Sequence, residues 1–147
     1  MRKGSWYILM FALLLRLPRI VVRWEEWALH YAAYNLPTLE ALLSGQYAEA
    51  ATTWVGLHPP LYPILHSALT TVWPAPILWM LFSVGASLAA VAFMLHAEPK
   101  SLVPGFLLAT DPVQLHYAAE VNNYPLGVLA LSYAWWAHRR DRPLAGD

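Results

Sequence analysis

Hydrophobic positions in this chain gather into four long runs: about Ser5 to Val22, Pro76 to Leu95, Ser101 to about Tyr117, and about Tyr124 to Ala137. Runs of this length point to helices that cross a bilayer. The pattern predicts an all-α membrane protein with about four transmembrane helices and amphipathic or juxtamembrane helices on its outer face. The third and fourth runs fall short of the ~20 residues a lone spanning helix needs, so they are expected to pack inside protein. In the second run, Ser83, Gly85, Ser87 and several Ala residues allow close helix packing. A further stretch, Pro60 to Trp73, is 14 residues long and carries Pro63, His66, Ser67, Thr70 and Thr71. It reads as a helix lying along the outer surface.

The polar positions between the runs predict short outer elements. Trp27, Tyr31 and Tyr34 fall on one helical face, and Glu26 and His30 share another. That helix should stop near Asn35-Leu36-Pro37. Thr38 is placed to cap a second short helix with a face of Leu39, Leu42 and Leu43, closed by Gly45. Asp111-Pro112 is expected to cap or break a helix. Neither a repeat nor a low-complexity tract is evident.

Composition supports the membrane assignment. Hydrophobic residues make up 59% of the chain and charged residues 12%, about half the usual charged share. Eight Trp and eight Tyr suit side chains with one end in lipid and the other wet. The absence of Cys excludes disulfides, thiolate catalysis and Cys-based metal sites. A net charge of zero argues against nucleic acid as a partner.

Charge placement adds a direction. Arg2 and Lys3 precede the first run, Arg139, Arg140 and Arg142 follow the last, and Lys100 is the one basic residue between Trp24 and His138. The positive-inside rule then puts both termini and the Lys100 turn in the cytoplasm, and residues 24–75 outside. Residues 1–138 read as one transmembrane module and 139–147 as a cytoplasmic tail. Arg16 and Arg19 interrupt the first run, and no small-residue cleavage site follows it, so it is not expected to be a cleaved signal. The location expected is an integral membrane one with both termini cytoplasmic.

Two outer segments would then bring Glu25, Glu26, His58, Asp111, His116 and Glu120 to one side. Intramembrane and rim carboxylates are costly and commonly functional. They also favour helix starts, which is a purely structural role for Glu25 and Glu26. His30, His58 and His116 with nearby acids form a weak candidate for a divalent metal, without regular ligand spacing. His66, His96 and His138 read as interfacial.

Trp24-Glu25-Glu26, Leu57-His58-Pro59-Pro60-Leu61-Tyr62 and Leu115-His116-Tyr117-Ala118-Ala119-Glu120 through Tyr124 occur in an order that resembles the N-terminal part of GT-C fold glycosyltransferases. These include the protein O-mannosyltransferases and the lipid A aminoarabinose transferases. The resemblance covers nearly the whole chain and about the first third of such an enzyme. It implies transfer of a sugar from a polyprenyl-phosphate carrier to a hydroxyl acceptor on the outer membrane face, and a bacterial inner membrane as the location. Glu25, Glu26 and Glu120 would be the catalytic carboxylates, with Glu25 taking the acceptor proton. Arg16, His58, Tyr62, His116, Asn122 and Tyr124 would contact substrate. Arg16, with Arg19 and Arg23, would offset the charge of the leaving phosphate. Two positions depart from the family pattern: Glu25-Glu26 stands where Asp-Glu is usual, and Asn122 where Arg is frequent. The later spans of such enzymes are absent, which implies a homo- or hetero-oligomeric partner in the membrane. The alternative expectation is a non-catalytic remnant or a small structural subunit of a larger membrane complex.

Overall fold

A computed structural model describes residues 3–22, 24, 25, 29, 32, 33, 36–53, 76–119 and 124–141. The described residues are all-helical, without strands. In chain order the helices are α1 (Lys3–Val22), α2 (Leu36–Leu43), α3 (Tyr47–Thr53), α4 (Pro76–Ala97), α5 (Val103–Thr110), α6 (Pro112–Tyr117) and α7 (Tyr124–Asp141). The expected helix through Trp27 to Tyr34 falls largely outside the described residues, and the surface helix at Pro60 to Trp73 wholly so.

The first two hydrophobic runs become α1 and α4 almost residue for residue. The third divides at Asp111, whose extended ψ of 123° stops α5. Its side chain then caps α6 by accepting a hydrogen bond from Gln114 N at 2.8 Å. Pro112 follows at the first helical position, where its missing N–H costs nothing. The fourth run extends past Ala137 to Asp141, with His138, Arg139 and Arg140 in the last turn, where cations oppose the negative end of the helix dipole.

The short helices follow local chemistry. α2 begins at Leu36, two residues before the expected cap at Thr38, which is buried within the first turn instead. It ends as foreseen at Gly45, whose φ of 75° suits a residue without Cβ. Gln46 N donates to Ala41 O at 2.8 Å and Gly45 N to Leu42 O at 3.1 Å, the paired bonds of a Schellman motif. α3 was not legible as a separate element.

Among the described residues, two helices are long and apolar enough to cross a membrane, Lys3–Val22 and Ile77–Ala97, against the four anticipated. The reason lies in the other two runs. α5 and α6 are single short helices of 8 and 6 residues, and the last turn of α7 is charged.

α4 is the centre of the structure: it packs most extensively on α7 and also on α1 and α5, while α1 touches α5 and α6. One core cluster joins Ile20, Trp79, Met80, Val84 and Ala119, with Leu36 packed on it. A second joins Ala12, Val91, Leu95 and Ala109. Of the small residues anticipated in α4, Ser83, Ala86, Ser87 and Ala90 are buried, whereas Gly85 is exposed and faces open space. The tight contact is at Gly105, where a Cβ would collide with the Leu95 side chain.

The same contacts orient the helices. Gly4 of α1 sits against Leu102, at the start of α5, and Arg139 of α7 pairs with Glu98, just past α4. Ile20 near the end of α1 meets Trp79 near the start of α4. Lys3, Lys100, Arg139 and Arg140 therefore lie toward one end of the assembly, and Glu25 and Tyr124 toward the other.

Candidate functional site

The end that carries Glu25 holds the described part of the expected site. α1 delivers Trp24 and Glu25 just beyond its last turn, both exposed. α1 packs against α6, and α6 against α7. This arrangement sets the last residues of α6 beside the first of α7, and the aromatic rings meet. Tyr117 stacks on Tyr124 with centroids 4.4 Å apart and planes 19° apart. His116 stands edge-on to Tyr117 at 4.7 Å. Two expected substrate contacts, His116 and Tyr124, are thus brought together through a third residue, Tyr117. The sequence reading had placed Tyr117 in a motif without giving it a role. Tyr117 ends α6 and Tyr124 begins α7, and the stacked rings join the two helix ends.

Chemically, such a cluster offers flat, electron-rich faces bordered by groups that hydrogen-bond. Tyr124 and His116 are exposed and Tyr117 is half-buried, so the platform is open on one side. Sugar rings present apolar C–H faces that pack on such surfaces, with hydroxyls directed to neighbouring polar groups.

Arg16 lies deeper along α1 and is wholly buried. Its Nε donates to Ser87 Oγ on α4 at 2.9 Å. Nη1 donates to Ala12 O, one turn back on α1, at 3.0 Å, and to Ala109 O near the end of α5 at 3.1 Å. Nη2 makes no hydrogen bond among the described residues. The guanidinium thus ties three helices together, and one of its nitrogens remains unbonded. Its acceptors are neutral: a hydroxyl and two carbonyls. Ser87 and Ala109 were not foreseen as its partners, although an Arg within an apolar run must find acceptors in protein.

Glu26, His58, Tyr62, Glu120 and Asn122 lie outside the described residues. Among the described residues, no group of three His, Asp or Glu side chains is placed to hold a metal ion; His30 and His58, two of the three histidines considered for one, are outside them. No family model, curated protein or solved structure matches this chain. The likeness to GT-C enzymes therefore rests on the short motifs themselves.

Proposed function

We propose that the chain is a membrane-embedded glycosyltransferase module that passes a sugar from a polyprenyl-phosphate carrier to a hydroxyl acceptor. The observation that supports this reading most is the Tyr124–Tyr117–His116 cluster at the end of the assembly where α1 delivers Glu25. An aromatic platform would seat the sugar, and a carboxylate near the acceptor hydroxyl would take its proton. The segment between Ala119 and Tyr124 carries Glu120, the second proposed acid.

The membrane part of the proposal draws on exposed side chains as well as helix length. Trp6, Tyr7, Met10 and Leu14 of α1, Val103 and Leu107 of α5, and Leu131 of α7 are each more than half exposed. A single-molecule surface this apolar calls for lipid or protein around it. At ~1.5 Å per residue, α1 and α4 reach about 30 Å, the thickness of a bilayer core. We propose that α7 and the broken pair α5–α6 accompany them as third and fourth spans, with the Lys100 end in the cytoplasm of a bacterial inner membrane.

A specific observation favours a second reading. Arg16 directs its hydrogen bonds to its own helix and two neighbouring ones, as expected of a packing residue in a non-catalytic subunit of a larger complex.

The test is a transfer assay with polyprenyl-phosphate sugars on detergent-purified protein, alone and with membrane extract supplying partner chains. Turnover that falls by ~100-fold or more in Glu25→Gln, as for loss of a general base, supports the enzyme. No turnover under any condition, and no thermal stabilisation by polyprenyl phosphate, would establish the structural-subunit reading.

A further inference from the structure

The opposite end of the assembly carries a second feature that sugar transfer does not use. There Phe93 of α4 packs between α4 and α7, its ring meeting Tyr133 and Trp136, each at 5.4 Å. Ala89 and Ala92 are too small to fill the space beside these rings. The result is an almost wholly apolar slot of about 250 Å³ bounded by Ala89, Ala92, Phe93, His96 and Trp136. It adjoins a larger opening of about 350 Å³ that shares His96 and Trp136 and is lined further by Lys100, Arg139 and Arg140. The larger opening lies within the ~300–1,000 Å³ range of small-molecule sites.

The chemistry changes sharply from slot to mouth. Arg140 holds its guanidinium 5.6 Å from the centre of the Trp136 ring, so the ring that walls the slot also positions a cation at its entrance. Arg139 is fixed by a two-point pair with Glu98, Nε to Oε1 at 2.9 Å and Nη2 to Oε2 at 3.1 Å. His96 uses Nδ1 on Ala92 O at 2.8 Å. That bond makes Nδ1 the donor and leaves Nε2 for a head-group hydroxyl.

We propose that this cleft binds an anionic glycerophospholipid, its phosphodiester at Arg140 and Lys100 and one acyl chain in the Ala89–Ala92–Phe93 slot. The occupant follows from complementarity: an apolar tail for the slot, a negative charge for the mouth, and a head-group hydroxyl for His96 Nε2. Anionic lipids attract basic residues at the surface of the cytoplasmic leaflet at ~1 kcal/mol each. The inference rests on the membrane part of the proposed function and is independent of sugar transfer.

The experiment is native mass spectrometry of the full chain purified in a neutral detergent. Phosphatidylglycerol and phosphatidylcholine with identical acyl chains are titrated separately, and inorganic phosphate serves as the third probe. Phosphatidylglycerol should be retained at least ~10-fold better than phosphatidylcholine, the preference expected from about two cations at ~1 kcal/mol each. Lys100→Ala/Arg140→Ala should erase that preference. Ala92→Leu should lower retention of both lipids by filling the slot. Unchanged circular dichroism and an intact Glu98–Arg139 pair keep these variants interpretable. Equal retention of the two lipids, or a preference that survives the double substitution, would overturn the proposal. So would equally tight binding of inorganic phosphate, which would make the mouth a site for a small anion. Recovery of the chain in the soluble fraction of cells would overturn the membrane reading as well, whereas failure of lipid selectivity in a membrane-inserted chain would overturn this inference alone.

Discussion

The Arg16–Ser87 bond can be tested with a double-mutant cycle. Ser87→Ala removes the acceptor of Nε and leaves a second unbonded guanidinium nitrogen beside Nη2. A hydrogen bond to a charged group contributes ~1.5–3 kcal/mol, and a buried charged donor left unpaired costs at least as much. Ser87→Ala should therefore destabilise the protein by about 2 kcal/mol. Arg16→Met behaves differently. It removes the buried cation but leaves Ser87 Oγ and Ala109 O without that donor, so its own effect serves only as the background of the cycle. In the Arg16→Met background Ser87→Ala should cost under ~0.5 kcal/mol, giving a coupling energy of ~1.5 kcal/mol or more. The assay is reversible unfolding in mixed micelles followed by tryptophan fluorescence. An equal cost of Ser87→Ala in both backgrounds would refute the reasoning, since Arg16 would then not depend on Ser87. Full sugar transfer by Arg16→Met, if the enzyme is active, would remove this residue from the set that meets the donor phosphate.

Gly105→Ala should destabilise the fold by ~1–3 kcal/mol, because the added methyl meets Leu95 and one helix must shift; in a Leu95→Ala background the same substitution should cost less in the same unfolding assay. Gly45→Ala places a Cβ at φ 75° and should cost ~1 kcal/mol, visible as a lower melting temperature. Single Cys residues at Gln46 and Lys100 should label with an impermeant thiol reagent from opposite sides of sealed vesicles; labelling of both from one side would exclude α4 as the single crossing between them. Glu98→Gln should loosen α7 by ~1 kcal/mol, read as faster hydrogen exchange in α7 than in α1.

The sequence made the two long helices plain because hydrophobic length depends only on composition along the chain. The stop at Gly45 and the break at Asp111-Pro112 were legible for a similar reason: each depends on the backbone preferences of one or two residues. Packing was not legible. Gly85 and Gly105 look alike in the sequence, and only the rotation of α4 and the approach of α5 decide which one lies in a contact. Arg16 was read as a cation for the leaving phosphate because the sequence shows charge and position but not the Ser and carbonyl groups that other helices bring. At the Glu25 end, the meeting of His116, Tyr117 and Tyr124 depends on how α6 turns into α7. Motif order hinted at this grouping without stating it. The α4–α7 cleft left no local signature, since its lining comes from positions 89–100 and 136–140.

The hydrogen bond from Arg16 to Ala109 O joins residues 93 positions apart, which bears on how the chain is made. In a bilayer a helix that ends at depth exposes carbonyls that lipid cannot satisfy. α5 ends at Thr110, and a donor for one of its last carbonyls is supplied by the first helix of the chain. During synthesis α1 emerges long before α5, so Arg16 waits with Nε unmatched and Nη1 held only by Ala12 O until α4 and α5 arrive. The break between α5 and α6 settles only when α1 is in place beside it. Nascent chains halted before residue 109 should leave α1 less firmly lodged and more open to quality-control proteases than chains halted a few residues beyond it.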